Sequence, residues 1–495
     1  MTSDELLPIA GLVAALGVAL LLVERSAILR IAGIVAVAVG SVPLIDAQAP
    51  GLSHVLDRSP VLLGAAGAGA LGAFVLGTAA ALRWPWAVPV AGLVLALRFP
   101  LSNPIRPAHF LLPLYGVLAC GLVALIWTTL RRRGTAPELG YVGYALAAYV
   151  LFAALSLEWT FDLDRGVFAM AATYVPLGVL ASLTARAARM RPFMIALPSV
   201  QVVLAVILAV VAIWEWFEKT TIVENAKIEI ANAYSDLFRV NSLLFDPSLF
   251  GRVEVFALLT ITGLCVFGAR RPAVLAGAAA APVIFLGMAF SFSQTSFMAL
   301  AAGVWVLALL AWRRAVAIGA GLAVLLVAVG LAASQPQVEK AFHQSVDRAS
   351  SSRTGLAERG SETFGSHPIA GVGLGGFGAA TGKTDLEKRR IAPHNIVVDV
   401  ASELGIVGLA LFGALLGTIA VALRRVPGVA LRAILAADLV ALLVHGLGYD
   451  QFFSDPTFWG IAAIAGACAV RAVPEEAAAE APALPATPTP AAVTS

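Results

Sequence analysis

The chain has 495 residues, 60% of them hydrophobic and only 13% charged, with a formal net charge of +3. That much apolar surface exceeds what a soluble core can hide, so the composition excludes a soluble globular protein and predicts an all-α polytopic transmembrane helix bundle in contact with a lipid bilayer. A charge this small implies no nucleic-acid partner.

Apolar segments of spanning or near-spanning length fall at 6–23, 27–45, 61–82, 84–99, 109–130, 138–157, 164–184, 193–217, 248–268, 272–290, 292–312, 315–333, 395–423, 429–448 and 456–471. A span needs about 20 helical residues, so 84–99 and 456–471 are short, and the expectation is about 12 to about 15 spans, with about 15 the best count. The start, MTSDELL, is acidic, so the first apolar run reads as a retained span and not as a signal peptide. Cys120, Cys265 and Cys468 lie inside apolar segments with no metal-ligand spacing and read as small core residues.

These segments divide the chain into five parts. They are N-terminal transmembrane helices (1–192), a second group with a loop at 218–247 (193–333), a large loop (334–394), the last three spans (395–471) and a disordered Ala/Pro/Glu-rich tail (472–495). Alternating the spans with the C-terminus inside puts Arg83, Arg131 to Arg133, Arg186 to Arg191, Arg270-Arg271, Arg313-Arg314 and Arg424-Arg425 on the cytoplasmic side. The loops at 46–60, 218–247 and 334–394 then lie outside the cytoplasm, and the last two carry all five lysines. The first part of 218–247 has the pattern of a short amphipathic helix lying on the membrane surface. Asp246-Pro247-Ser248 is a turn signal before the next span, whose first turns carry Arg252 and Glu254.

Ionisable groups at membrane depth are costly, about 2.5–3.5 kcal/mol each, and so invite a functional reading. Several gather at the predicted outer ends of spans. Asn395, Asp399 and Glu403 share one face of the helix after the large loop. His445 and Asp450 sit near the end of the next span, and Gln294 and Ser296 lie in the turn SFSQTS. Each has a bland alternative. Arg239 and Arg353 read equally as ordinary loop cations, His394 as a helix-start residue beside the N-cap Asn395, and Asp399 and Glu403 as partners of loop arginines. The run Gly371 to Gly378 contains Gly-x-Gly but follows Ser-His-Pro and no strand, so it reads as a tight turn and not as a nucleotide cradle.

The order Arg239, Arg353, Ser-His-Pro-Ile-Ala-Gly-Val-Gly, His394-Asn395 and Glu403-Leu-Gly-Ile-Val-Gly-Leu resembles the O-antigen ligase and O-unit polymerase family of integral-membrane glycosyltransferases. The resemblance covers about 193–471, with its best motif at 353–408. The chain departs from the family pattern at Ser248, where Asn is usual, at Gln294-Thr295, where Ser-Arg is common, and near Ala357, where a Trp is usual. The resemblance implies an enzyme of the bacterial inner membrane that moves a glycan from an undecaprenyl-diphosphate carrier to a glycan or lipid-core acceptor. The reaction would run on the extracytoplasmic side, with no metal or other cofactor. Carried over residue by residue, Arg239 and Arg353 would bind the diphosphate and His394 would act on the acceptor hydroxyl or orient it. Arg252, Gln294, Asn395, Asp399 and Glu403, the polar groups near the predicted outer span ends, are the further candidate substrate-binding positions.

The chemistry agrees with those residue types. A departing diphosphate develops charge, and the fork of an arginine meets phosphate bidentately. Each charge-assisted hydrogen bond is worth about 1.5–3 kcal/mol, against a total barrier reduction of at least about 8 kcal/mol. A helix N-terminus opposes protonation of His394 and attracts the diphosphate. Two other classes stay open at this stage. One is a transporter or flippase of a lipid-linked glycan, with Glu24, Asp438 and Glu403 as midplane groups. The other is a non-catalytic family member acting as a partner subunit.

Overall fold

The computed structural model describes residues 3–24, 26–48, 60–99, 107–131, 139–233, 238–268, 271–311, 353–382, 393–449 and 451–470. The described elements are helical throughout. In chain order they are α1 (Ser3–Val23), α2 (Ala27–Gln48), α3 (Pro60–Arg83), α4 (Ala87–Leu95), α5 (Pro107–Arg131), α6 (Gly140–Leu155) and α7 (Leu163–Ala187). The second half continues with α8 (Arg191–Glu218), α9 (Ala226–Ala233), α10 (Pro247–Val266), α11 (Arg271–Phe290), α12 (Gln294–Ala311), α13 (Arg353–Ser366), α14 (Phe377–Thr381), α15 (Ile396–Arg424), α16 (Val429–Gly446) and α17 (Pro456–Ala469).

Among the described residues, 11 helices are long and apolar enough to cross a membrane, and Gly69–Arg83 and Pro456–Ala469 are shorter apolar helices. The expected span at 84–99 is only the 9-residue α4. It ends in a turn where Arg98 takes a positive φ of 60°. The expected span at 315–333, residues 334–352 and 383–392 of the large loop, and the tail lie outside the described residues. The surface helix expected in the 218–247 loop is α9.

One continuous apolar core joins the two halves. α1 packs on α2, α6 and α7 in the first half. In the second, α10 packs on α8, α11, α12 and α16, while α15 and α17 lie against α6 and α7. α7 and α10 are the most enclosed spans, whereas α8 and α11 turn most of their residues outward. The two ends of the bundle differ in chemistry. At the basic end, Arg30 from α2 and Arg186 from α7 both hold Glu24, with Arg30 Nε 2.8 Å from its Oε1, and Arg30 also donates to Thr129 Oγ1 at 2.9 Å. Glu24 is therefore committed to an ion pair. The opposite end carries the loops.

At that loop end the described backbone leaves helical geometry in several places, where internal hydrogen bonds take up freed groups. A π-helical turn in α7 (Met170–Tyr174) frees carbonyls inside the bundle. Tyr115 Oη donates to that of Ala171 at 2.8 Å, and Arg98 Nη2 to that of Ala172 at 2.6 Å. The loop after α8 is gathered by Glu215, whose carboxylate accepts from the backbone N–H groups of Ile222 (2.7 Å), Asn241 (3.2 Å) and Ser242 (2.8 Å).

The glycine run is the tight turn that its composition predicts, and it interlocks with a break in α15. Gly405 takes φ 64° inside that helix, and the freed backbone pairs with the turn. Val372 N donates to Ser402 O at 3.0 Å, Gly373 N to Glu403 O at 2.9 Å and Ile406 N to Pro368 O at 2.8 Å. Glu403 clamps the next stretch, its carboxylate accepting from Gly375 N (2.9 Å) and Phe377 N (3.4 Å). On its other side the turn seats on the link after α6, where Ser156 Oγ accepts from Leu374 N at 3.0 Å and Thr160 Oγ1 donates to Leu374 O at 2.7 Å. Gly371 has φ 67°, and a β-carbon there would strike the Glu403 carbonyl; one at Gly405 would strike that of Ile369. Gly371→Ala and Gly405→Ala are each expected to cost more than about 1 kcal/mol and to lower the melting temperature in detergent. Gly413→Ala, whose side chain meets nothing within 4 Å, is expected to leave it unchanged or slightly raised.

Candidate active site at the loop end

The site is built by four helix ends. Asp246 caps α10, accepting from Ser248 N at 2.7 Å, with Pro247 in the first turn. This is the geometry that Asp-Pro-Ser encodes, and it sets Gly251 and Arg252 one turn into the helix. Gly251 packs directly on the hydroxyls of Ser291 and Ser296, a space that a β-carbon would fill. Arg252, 1% exposed, points to the start of α17, its Nε 2.7 Å from Asp455 Oδ2. Asp455 also caps α17 by accepting from Thr457 N at 2.7 Å.

Across from Arg252 lies the turn after α16, which carries Tyr449. The Arg252 guanidinium is 5.8 Å from the Tyr449 ring centre, within cation–π range. His445 meets that ring edge-on at 5.5 Å, and His394 lies 6.4 Å from it. His445 is fully buried, and its Nε2 is 3.3 Å from Thr295 Oγ1 and 3.5 Å from Ser296 Oγ. The hydroxyl chain continues to Ser293, 3.1 Å from Thr295 Oγ1 and 2.9 Å from Ser296 Oγ. Arg239 reaches the same turn, its Nε donating to Ser291 O at 3.1 Å, and Asn232 fixes its backbone through Arg239 N (2.8 Å) and Arg239 O (3.0 Å).

His394 takes a positive φ of 51° immediately before α15. Asn395 then caps the helix, its Oδ1 accepting from Val397 N (2.9 Å) and Val398 N (3.2 Å) while its Nδ2 donates to Leu447 O at 3.1 Å. The cap therefore occupies two of the N–H groups that an uncapped helix start offers an anion. It also ties His394 to the turn bearing Tyr449. Arg353 opens α13, which lies against α15, with Gly360 packed on Val398.

The structure thus brings Arg239, Arg252, His394 and Asn395 to one end of the bundle, together with the neighbours of Gln294. Gln294 itself is exposed, and it is Thr295 and Ser296 that turn toward His445. Glu403 is used by the glycine turn instead, and Asp399 sits half-buried one turn into α15. Asp450 lies outside the described residues. Glu254 is fully buried, with neither carboxylate oxygen hydrogen-bonded among the described residues. Sequence reading missed Tyr449 and Asp455. Asp455-Pro456 repeats the cap signal of Asp246-Pro247 and was open to the same argument; Tyr449 carries no signal of its own. Arginine, imidazole and hydroxyl groups around one ring suit an anionic ligand and the removal of a proton.

The model of the O-antigen ligase family matches residues 279–413, which places the stretch from within α11 to the middle of α15 in that family and bears out the resemblance seen in the motifs. The match supports an O-antigen ligase-like membrane glycosyltransferase in a bacterial inner membrane. It includes Gln294, Arg353, His394, Asn395, Asp399 and Glu403, whereas Arg239, Arg252, His445, Tyr449 and Asp455 lie outside it. No curated protein matches the chain.

Removing one partner of a buried ion pair costs about 3–5 kcal/mol, against about 1 kcal/mol for a lost helix cap. Asp455→Asn keeps an acceptor for Thr457 N and loses the charge. It is expected to destabilise nearly as much as Asp455→Ala, as read by thermal unfolding in detergent. Near-wild-type stability of Asp455→Asn would mean that the cap, and not the ion pair, holds this turn.

Proposed function

We propose that the protein transfers a glycan from an undecaprenyl-diphosphate carrier to a hydroxyl acceptor, as a ligase or a polymerase, at the extracytoplasmic loop end of the bundle. The observation that carries this reading is the gathering of Arg252, His394 and His445 around Tyr449, with Arg239 held on the adjoining Ser291 turn, at one end of the bundle. In the reaction, the acceptor oxygen attacks the anomeric carbon as the bond from that carbon to the diphosphate oxygen breaks. The acceptor proton passes to His394, and undecaprenyl diphosphate leaves with the bonding electron pair.

Arg239 and Arg353 are the proposed diphosphate ligands, and Arg252 adds a fixed positive charge behind Tyr449. A buried arginine already paired with Asp455 does not reorganise as charge develops, which is what electrostatic stabilisation of a leaving group requires. Beside it, an apolar groove runs down the bundle between Leu97, Leu204, Phe256 and Ile461, and its rim residues Val253 and Pro456 adjoin Arg252 and Asp455. That continuity suits a donor whose head is anionic and whose tail is hydrocarbon. The transporter reading is weaker, because Glu24 is ion-paired and Glu403 is bonded to backbone; only Asp438, on the wall of the same groove, remains of its midplane groups.

The test is a transfer assay in proteoliposomes with undecaprenyl-diphosphate glycan, with and without a lipid-core acceptor, in the presence of EDTA. Wild type is expected to form product despite the chelator, and His394→Ala to lose at least about 100-fold in rate, the usual worth of a general base. A carrier-linked ladder would identify a polymerase, and product only with the lipid core a ligase. Unchanged transfer by His394→Ala would remove it from the chemistry, and net movement of the lipid without a new bond would favour a flippase.

A further inference from the structure

A second groove lies at the basic end, away from the site. Ala414, Gly417, Val421 and Arg425 fall on one face of α15 and its C-cap. With Tyr141 of α6 and Ala469 of α17 they line a groove of about 460 Å³, within the range of small-ligand sites. No described part of the chain covers it. No described atom lies within 4 Å of where a side chain at Gly417 would begin, and Tyr141 and Val421 are 76% and 52% exposed. From Ala414 to Arg425 the helix advances about 16 Å, roughly one leaflet of a hydrocarbon core about 30 Å thick. Arg425 therefore stands at headgroup level when Ala414 lies near the midplane. It has no ion pair among the described residues, and the chain holds no acidic residue between Leu404 and Arg425.

We propose that this groove binds one anionic phospholipid, with an acyl chain along α15 and the phosphate on Arg425. The small residues leave room for a hydrocarbon chain, and Thr418, the polar residue of α15 on the lining, spends its hydroxyl on the Leu415 carbonyl at 2.8 Å. A guanidinium at the mouth offers paired donors to a phosphate oxygen pair. Basic pockets between transmembrane helices on the cytoplasmic side are suited to anionic headgroups. A second copy of the chain fits less well. Parallel packing through Gly417 would bring two Arg424-Arg425 pairs toward each other with no carboxylate on either face.

The experiment is native mass spectrometry of the full chain released from nanodiscs of mixed phosphatidylglycerol and phosphatidylcholine. Wild type is expected to retain one phosphatidylglycerol in preference to phosphatidylcholine. Arg425→Gln and Gly417→Leu are each expected to lower that retention about tenfold, and Arg425→Lys to preserve most of it. Gly417 faces open space, so its leucine variant has no internal clash to unfold it. Equal retention of the two lipids, or retention unaffected by either variant, would overturn the proposal. So would a wild-type dimer that Gly417→Leu dissociates with no change in bound lipid. None of these readouts depends on glycan transfer.

Discussion

Backbone N–H and C=O groups inside a membrane have no water to turn to, so a chain this apolar can leave helical geometry only where its own side chains satisfy it. The irregular stretches described at the loop end follow this constraint. Glu215 gathers the loop after α8 by accepting three N–H groups. Glu403 holds the glycine turn through Gly375 and Phe377. Asp246, Asn395 and Asp455 each cap the helix that follows them. The acids and amides at this end are largely occupied by backbone.

The same constraint links the fold to its chemistry. Asp455 serves the backbone of α17 with one oxygen and Arg252 with the other, so the residue that shapes the turn also fixes a buried cation. Asn395 starts α15 and binds Leu447, so His394 and Tyr449 move together. His445 is set from the opposite side by the hydroxyls of Thr295 and Ser296, at the turn whose Ser291 carbonyl receives Arg239. Groups from four separated parts of the chain are thus positioned by hydrogen bonds and one buried ion pair.

Much of this was legible in the residues. Among the described residues most of the long apolar runs became helices, Asp246-Pro247-Ser248 and His394-Asn395 marked two helix starts, and the glycines marked a turn. What the residues did not disclose were partners far apart in the chain. Glu403 reads on a helical wheel as a surface or membrane carboxylate. Its partners Gly375 and Phe377 lie 28 and 26 positions away, and they become neighbours only because α15 breaks at Gly405. The run at 84–99 is apolar enough for a span, yet Trp84, Pro85 and the reversal at Arg98 confine its helix to nine residues. Tyr449 follows a helix end in an ordinary-looking turn, and its place among two imidazoles and a guanidinium is set by tertiary packing alone.

A lipid-diphosphate donor bound at the Tyr449 end of the bundle would lie within reach of a photo-crosslinking aromatic residue placed at position 449. Irradiating proteoliposomes that contain undecaprenyl-diphosphate-linked glycan should then give a covalent donor adduct at that position, competed by unlabelled carrier and diminished by Arg239→Ala. A probe at 449 that captures no donor, while one at the basic end does, would contradict donor binding at the Tyr449 end.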